Sequence, residues 1–375
     1  MPSISPIGSR TIDLLRFPLI VGIVMIHCCQ FSEGSHTGIF ITQVFGEGFS
    51  RSCVPLFFAI SGYLFFLSKE RTIDTYFTQL RKRVRTLLLP YLLWNIIFMI
   101  WDYLRFYYLS SFFPNMEKPP LHIVDLLKYT FWGAGEPNPL FYEPFNSPVD
   151  VPLWFIRDLI VMCVIAPLFY FLLRGRKGLL ILVVIMLCFV CGIGPHISGF
   201  EPTAVCFFAL GAFFGIHEID PVATVLRMKK SKLVFLSILW GCLCVADVSL
   251  YPDFWGQRLH GIGIFVGVPV LVGIAAILSS RNIMLPQIVV SSTFFVYGAH
   301  SAIIRPLMKC ITVLNPPNNA FLLVLDYFGL VIVVTGLCFG VYIILKAIAP
   351  GVASLLTGGR NNTRQKKYAN FVGKT

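Results

Sequence analysis

The stretch Ile12-Asp-Leu-Leu-Arg16-Phe-Pro-Leu-Ile-Val-Gly-Ile-Val-Met-Ile-His27 decides how the rest of the chain is read. It is apolar enough to lie in a bilayer, yet it carries Asp13, Arg16 and His27. A bilayer core takes about 20 residues of helix, and the apolar run around this stretch, near 13–31, is long enough to cross it. Ionisable groups inside a spanning helix are costly, so each is a functional candidate. Arg16 and His27 are 11 positions apart. At about 100° per residue that is three full turns plus about 20°. Both therefore share one helix face, roughly 16 Å apart along the axis.

Composition extends this reading to the whole chain. Of 375 residues, 56% are hydrophobic and 13% charged, and the mean hydropathy is +0.77. A soluble domain carries about 25% charged residues, so most of this surface faces something other than water. Lys and Arg outnumber Asp and Glu by 30 to 18. These cations lie between apolar segments, where they set topology and meet anionic headgroups. No soluble basic domain is present to bind nucleic acid. The 11 cysteines sit mostly in apolar runs and form no disulfide framework. The Cys188-x-x-Cys191 pair lacks a second pair or a nearby His, so no metal site is expected. The first apolar run ends in Cys-Cys-Gln and reads as a retained helix without a cleavage site.

Ten segments qualify as spans, near 13–31, 53–68, 86–109, 152–173, 179–199, 202–216, 233–250, 260–280, 286–308 and 320–349. With the N-terminus inside, the inner loops hold Arg81, Lys82, Arg83 and Arg85, then Arg174, Arg176 and Lys177, then Arg227, Lys229, Lys230 and Lys232. The outer loops are poorer in cations and hold Glu33, Glu47, Glu117, Asp125, Glu136, Glu143, Asp150, Asp247 and Asp253. This segregation fits an even number of crossings and two cytoplasmic termini. The expectation is an all-α integral membrane bundle of about ten transmembrane helices in the cell (inner or plasma) membrane. One domain fills 1–350, and 351–375 is a polar cytoplasmic tail expected to be disordered. The outer loop at about 110–151 is rich in Pro and aromatics, as loops that line sites often are.

Several motifs, in order, resemble one family. Arg16 and His27 form an R-x10-H pattern similar to the opening helix of the acyltransferase family 3 proteins, membrane enzymes that modify glycans and lipids. Val-Pro-Leu-Phe-Phe-Ala-Ile-Ser61-Gly62-Tyr-Leu-Phe-Phe resembles that family's second helix. Arg81-Lys82-Arg83-Val-Arg85 leading into Pro90 resembles its basic stretch and third helix. Pro152-Leu-Trp154-Phe resembles the Trp-Phe start of a later helix, and Phe207 to Gly215, Tyr297 and His300 are also similar. The resemblance covers residues 10–310. Many members carry Arg-x-x-Arg where this chain carries Lys82-x-x-Arg85, and Lys supplies charge without Arg's planar fork.

The resemblance implies transfer of an acyl group, usually acetyl, from cytoplasmic acyl-CoA to a carbohydrate hydroxyl. His27 would activate that hydroxyl, which is too weakly acidic to attack a thioester unaided. Direct transfer and a transient acyl-His27 both fit. Arg16 and the cations Arg81, Lys82, Arg83 and Arg85 would hold the donor's phosphates. Asp13, Ser61, Gly62, Trp154, Tyr297 and His300 are the supporting candidates; Tyr297 and His300 share a helix face at i, i+3. No tightly bound cofactor or metal is implied, with acetyl-CoA or another acyl-CoA as donor substrate. The implied partners are membrane lipids, a glycan or lipid-linked sugar acceptor, and other envelope-biosynthesis proteins. Arg157 and Asp158 read as an ion pair within the bundle, and the other histidines form no group in sequence. The rival reading is a transporter or flippase of lipid-linked sugars, for which a two-fold repeat of broken helices would be the sign; none is visible.

Overall fold

A backbone amide left unpaired in hydrocarbon costs several kcal/mol, so a chain this apolar satisfies its backbone within helices. The computed structural model describes residues 4–29, 34–67, 72–108, 119–133, 147–194, 197–251, 253–314 and 319–359, and among these there is no strand. The described residues are all-helical, and the chain is a multi-pass membrane protein.

Helix α1 (Pro6–Cys28) opens at Ser5, whose Oγ accepts from the Gly8 amide at 3.1 Å, and Pro6 occupies the first turn. That position suits proline, because its missing N–H would have had no partner there. The second span is one continuous helix from His36 to Phe66. It comprises α2 (His36–Gln43), a π-turn at Val44–Gly48, a 3-10 turn at Phe49–Ser52 and α3 (Cys53–Phe66). This helix begins well before the expected 53, because the polar run from Glu47 to Ser52 interrupts the apolar pattern without breaking the backbone. Glu47 and Arg51, one turn apart, pair with each other there. The third span runs from Ile73 to Tyr108 through α4 (Ile73–Arg83), a π-turn at Val84–Leu88 and α5 (Leu89–Tyr108).

A short helix α6 (Ile123–Phe131) follows in the long loop; residues 109–118 and 134–146 of that loop lie outside the described residues. A 3-10 turn at Val151–Leu153 leads into α7 (Trp154–Val164) and α8 (Ala166–Leu173). Sequence reading makes 152–173 one span, but α7 and α8 meet at 61°. Pro167 in the first turn of α8 has no amide to continue the ladder from α7. The remaining elements are α9 (Gly178–Val190), α10 (Pro202–Ile216), α11 (Pro221–Leu226), α12 (Lys230–Leu250), α13 (Phe254–Ser280), α14 (Gln287–Leu314), α15 (Ala320–Ile348) and α16 (Pro350–Leu356).

Among the described residues seven helical spans are long and apolar enough to cross a bilayer, or eight if the bent α7–α8 pair is one span. Helices α9 and α10 are apolar but only 13 and 15 residues long. At 1.5 Å per residue each is about 20 Å, short of a core about 30 Å thick.

Residues 351–359, which the sequence reading assigns to the tail, lie in helix and turn. Helix α16 packs against the bundle, with Ala353, Leu356 and Thr357 buried. Trp94 Nε1 donates to the Leu356 carbonyl at 3.1 Å, and Gly358 sits at φ +72° tight against Thr86. Only residues 360–375 of the expected tail lie outside the described residues.

The closest helix contact joins α3 to α10. A Cβ on Gly211 would lie 1.9 Å from the Ala59 carbonyl oxygen, and one on Gly62 would lie 2.3 Å from that of Phe208. Small residues let backbones approach where lipid gives no hydrophobic drive for association. Gly211→Val is expected to lower the thermal midpoint of the solubilised protein by about 5 °C, corresponding to about 1–3 kcal/mol of forced separation. Gly336→Val, where a Cβ meets nothing within 4 Å, serves as the unshifted control in the same melt.

Candidate active site

Helices α1 and α14 run side by side in the same direction and gather Asp13, Arg16, His27, Tyr297 and His300. Near the middle of α1, Arg16 pairs with Asp13 across one turn at 2.9 Å. Toward its C-terminal end, the His27 ring lies 5.3 Å, centroid to centroid, from that of His300 on α14. His27 is half-buried and His300 fully buried. The His300 Nδ1 is 2.6 Å from the Tyr297 carbonyl oxygen. A carbonyl only accepts, so that nitrogen carries the proton and Nε2 holds the lone pair.

A cavity of about 420 Å³ lies between α1, α3, the α4–α5 span, α7 and α14. Its polar lining comes from Arg16, Ser61, Arg83, Thr86, Gln287, Ser291 and Thr293. On α14 the lining runs from Gln287 to Tyr297, ten residues, or about 15 Å of helix. The deep end is aromatic: Tyr297 packs edge-on against Phe155 and Phe294, each with ring centroids 6.1 Å away. His300 follows Tyr297 by one turn. The recess therefore begins among cations; its lining ends one helical turn before His300 on α14 and, at Ile20, about two turns before His27 on α1.

Tyr297 is held in place by its hydroxyl, which donates to the Pro152 carbonyl. One turn further, Ser301 Oγ donates to Asp150 Oδ1 at 2.8 Å. The Asp150 amide donates to Asn95 Oδ1 at 3.2 Å, and Asn95 is anchored to the Tyr91 carbonyl. Helices α5 and α14 thus fix the Asp150–Pro152 turn, which aims the start of α7. Trp154 begins α7 against Phe58, with ring centroids 6.2 Å apart. Below it, the buried Arg157–Asp158 pair is closed at 2.9 Å. Asp158 also accepts from the amides of Gly199 and Glu201, each at 3.1 Å, so this pair ties the turn before α10 to α7.

The four basic candidates separate. Arg83 is half-buried, lines the recess and stacks over Phe65 at 6.0 Å. Arg81, Lys82 and Arg85 are exposed and do not line it. Arg85 lies near Gly359, beyond α16. The two neighbours Ser61 and Gly62 also separate: Ser61 faces the recess, whereas Gly62 faces α10. Sequence reasoning missed Thr86, Gln287 and Phe155 in the lining, and Asp150 behind Tyr297. Two had a usable signal: Phe155 completes the Pro152-Leu-Trp154-Phe motif, and Asp150 is an acid two residues before it. Also missed was His260 on α13, whose Nδ1 is 2.7 Å from Asp247 Oδ2 on α12; the two lie 13 positions apart on different helices.

A family model described as an acyltransferase domain matches residues 10–343. The chain belongs to acyltransferase family 3. It is similar to the succinoglycan biosynthesis protein ExoH of Rhizobium meliloti (strain 1021), at 28% identity over 266 residues. That alignment covers 66% of this chain and 64% of ExoH, so the match spans just under two thirds of the relative's length. No solved structure matches.

For this family 3 chain, the cationic lining of the recess has a direct chemical readout. A thiol introduced as Ser61→Cys is expected to react about tenfold faster with an anionic methanethiosulfonate than with a cationic one, because Arg16 and Arg83 raise the local anion concentration. Adding Arg83→Ala should bring the two rates together. Peptide-resolved mass spectrometry separates this site from the native cysteines.

Proposed function

We propose that this protein is a membrane O-acyltransferase that moves an acyl group, acetyl in the simplest case, from acyl-CoA to a hydroxyl of a cell-envelope polysaccharide or lipid-linked glycan. The observation that carries this reading is the recess that starts at Arg16 and Arg83 and points along α1 and α14 toward His27 and His300. In this reading both termini and the basic face are cytoplasmic, and about ten segments cross the inner membrane. Helices α9 and α10 would complete that count as short crossings. Family membership supports acyl transfer, and the name of the related ExoH supports a polysaccharide acceptor.

The donor enters from the basic face. Arg83 meets its phosphates, with Thr86 and Gln287 as neutral hydrogen-bonding groups beside it. Asp13 offsets the charge of Arg16, so Arg83 carries the larger share of the attraction, and the thioester end of the donor extends along the recess toward Tyr297. His27 takes the proton of the acceptor hydroxyl, whose oxygen attacks the thioester carbonyl. The carbon–sulfur bond breaks, and the CoA thiolate leaves and is protonated. An acyl-His27 intermediate uses the same groups in two steps.

Two outcomes are expected. The first concerns the glycan: wild-type protein in a deletion background adds an ester-linked acyl mass to the envelope polysaccharide, and His27→Ala at equal expression adds none. Equal additions by both would remove His27 from the mechanism. The second concerns the donor. Arg83→Ala should weaken binding of CoA, measured calorimetrically on purified protein, by about tenfold or more, the scale of one charge-assisted hydrogen bond. Lys82→Ala should stay within about twofold, because an exposed cation contributes little. The reverse order would place the donor site elsewhere.

A further inference from the structure

His300 is fully buried, and its Nε2 has no hydrogen-bond partner among the described residues. Its Nδ1–H is committed to the Tyr297 carbonyl at 2.6 Å, so Nε2 can only accept. A buried acceptor without a donor costs about 1–3 kcal/mol, so its retention calls for a cause. The ring nearest to it on α1 belongs to His27, at 5.3 Å between centroids. An imidazole nitrogen lies about 1.15 Å from its ring centre. Two imidazoles joined by one N–H···N bond of about 2.9 Å therefore have centroids about 5.2 Å apart. The observed separation is close to that of a hydrogen-bonded pair. The 46° tilt between the ring planes does not oppose such a bond.

Resting on the acyl-transfer reading above, we propose that His300 is the positioning residue of a His27–His300 dyad: one N–H of His27 donates to Nε2 of His300, and the second nitrogen of His27 faces the acceptor hydroxyl as the base. When that nitrogen takes the hydroxyl proton, the oxygen attacks the thioester carbonyl and the carbon–sulfur bond breaks. The imidazolium so formed keeps its hydrogen bond to His300. It then returns the captured proton to the departing thiolate, and His300 neither gains nor loses one. His300 thus does with a neutral acceptor what a carboxylate does in other base–orienter pairs: it fixes the tautomer and favours the charged ring. A neutral partner suits this site, because a carboxylate so deep in the bundle would add a buried charge. The chain of support runs back through the Tyr297 carbonyl to the Asp150–Pro152 turn, which holds both Tyr297 and the next turn of α14.

The test reads His27 itself and needs no knowledge of the acceptor. Diethyl pyrocarbonate acylates a neutral imidazole nitrogen, and peptide mass spectrometry gives the rate at each histidine of the full-length protein in nanodiscs. The exposed His36 and His122 calibrate the reagent. His300→Leu is expected to slow modification of His27 about tenfold relative to those references. His300→Gln, which keeps an acceptor oxygen, should hold the rate within about threefold of wild type and shows that the fold survives. Equal rates in wild type and His300→Leu would sink the dyad. So would equal losses in the Leu and Gln variants, or a wild-type His27 that does not react while His36 does. Glycan acylation in cells is scored separately. Acylation that requires His27 but ignores His300→Leu overturns the dyad and leaves acyl transfer standing. Reagent rates that follow the expected order without any glycan acylation overturn the transfer reading instead.

Discussion

Helices α1 and α14 each carry one face that hydrocarbon will not accept, and they meet along those faces. On α1 the stripe is Arg16 and His27; on α14 it is Gln287, Ser291, Tyr297 and His300. Charged and polar groups at membrane depth turn inward to protein or to a water-filled cavity. Setting the two stripes side by side removes both from lipid and leaves the recess between them. The surrounding architecture serves that contact. Helix α3 brings Ser61 to the wall while the adjoining face, about 100° round, locks onto α10 through Gly62 and Gly211. Helix α7 supplies Phe155 because Asn95, Tyr297 and Ser301 hold the turn that precedes it.

The same constraint explains the irregular backbone. Two π-turns and a 3-10 turn interrupt the second and third spans, and the π-turn of the third span adjoins the recess. A π-turn adds a residue and rotates everything beyond it, and such turns gather at functional sites. The turn at Val84–Leu88 begins immediately after Arg83 and contains Thr86, which join it in the lining while Arg81, Lys82 and Arg85 point elsewhere. Four neighbouring cations therefore have different surroundings.

Much of this was legible in the amino-acid sequence. Hydropathy located the apolar helices, of which seven, or eight with the bent pair, are long enough to cross a bilayer among the described residues, and the R-x10-H spacing put Arg16 and His27 on one face, which the fold sets against α14. The bend at Pro167, the early start of the second span and the docking of α16 were not legible. Hydropathy measures how apolar a segment is and says nothing of where a backbone ladder bends or continues through polar residues. The choice of Arg83 among its neighbours was hidden for a related reason: an α-helical wheel fails across a π-turn. Asp247 with His260, and Asp150 with Ser301, join distant parts of the chain, which no local spacing encodes.

The aromatic floor of the recess bears on what a cell membrane is for. A bilayer stores energy as a difference in ion and proton concentration, and a wet cavity reaching most of the way across would discharge it. Here the polar lining gives way to Tyr297, Phe155 and Phe294, rings packed edge to face, and the one hydroxyl among them is already given to the Pro152 carbonyl. With its proton committed, the Tyr297 hydroxyl can still accept from water but passes no proton on toward the histidines. The protein can hold a polar chamber deep in an insulating sheet without becoming a leak.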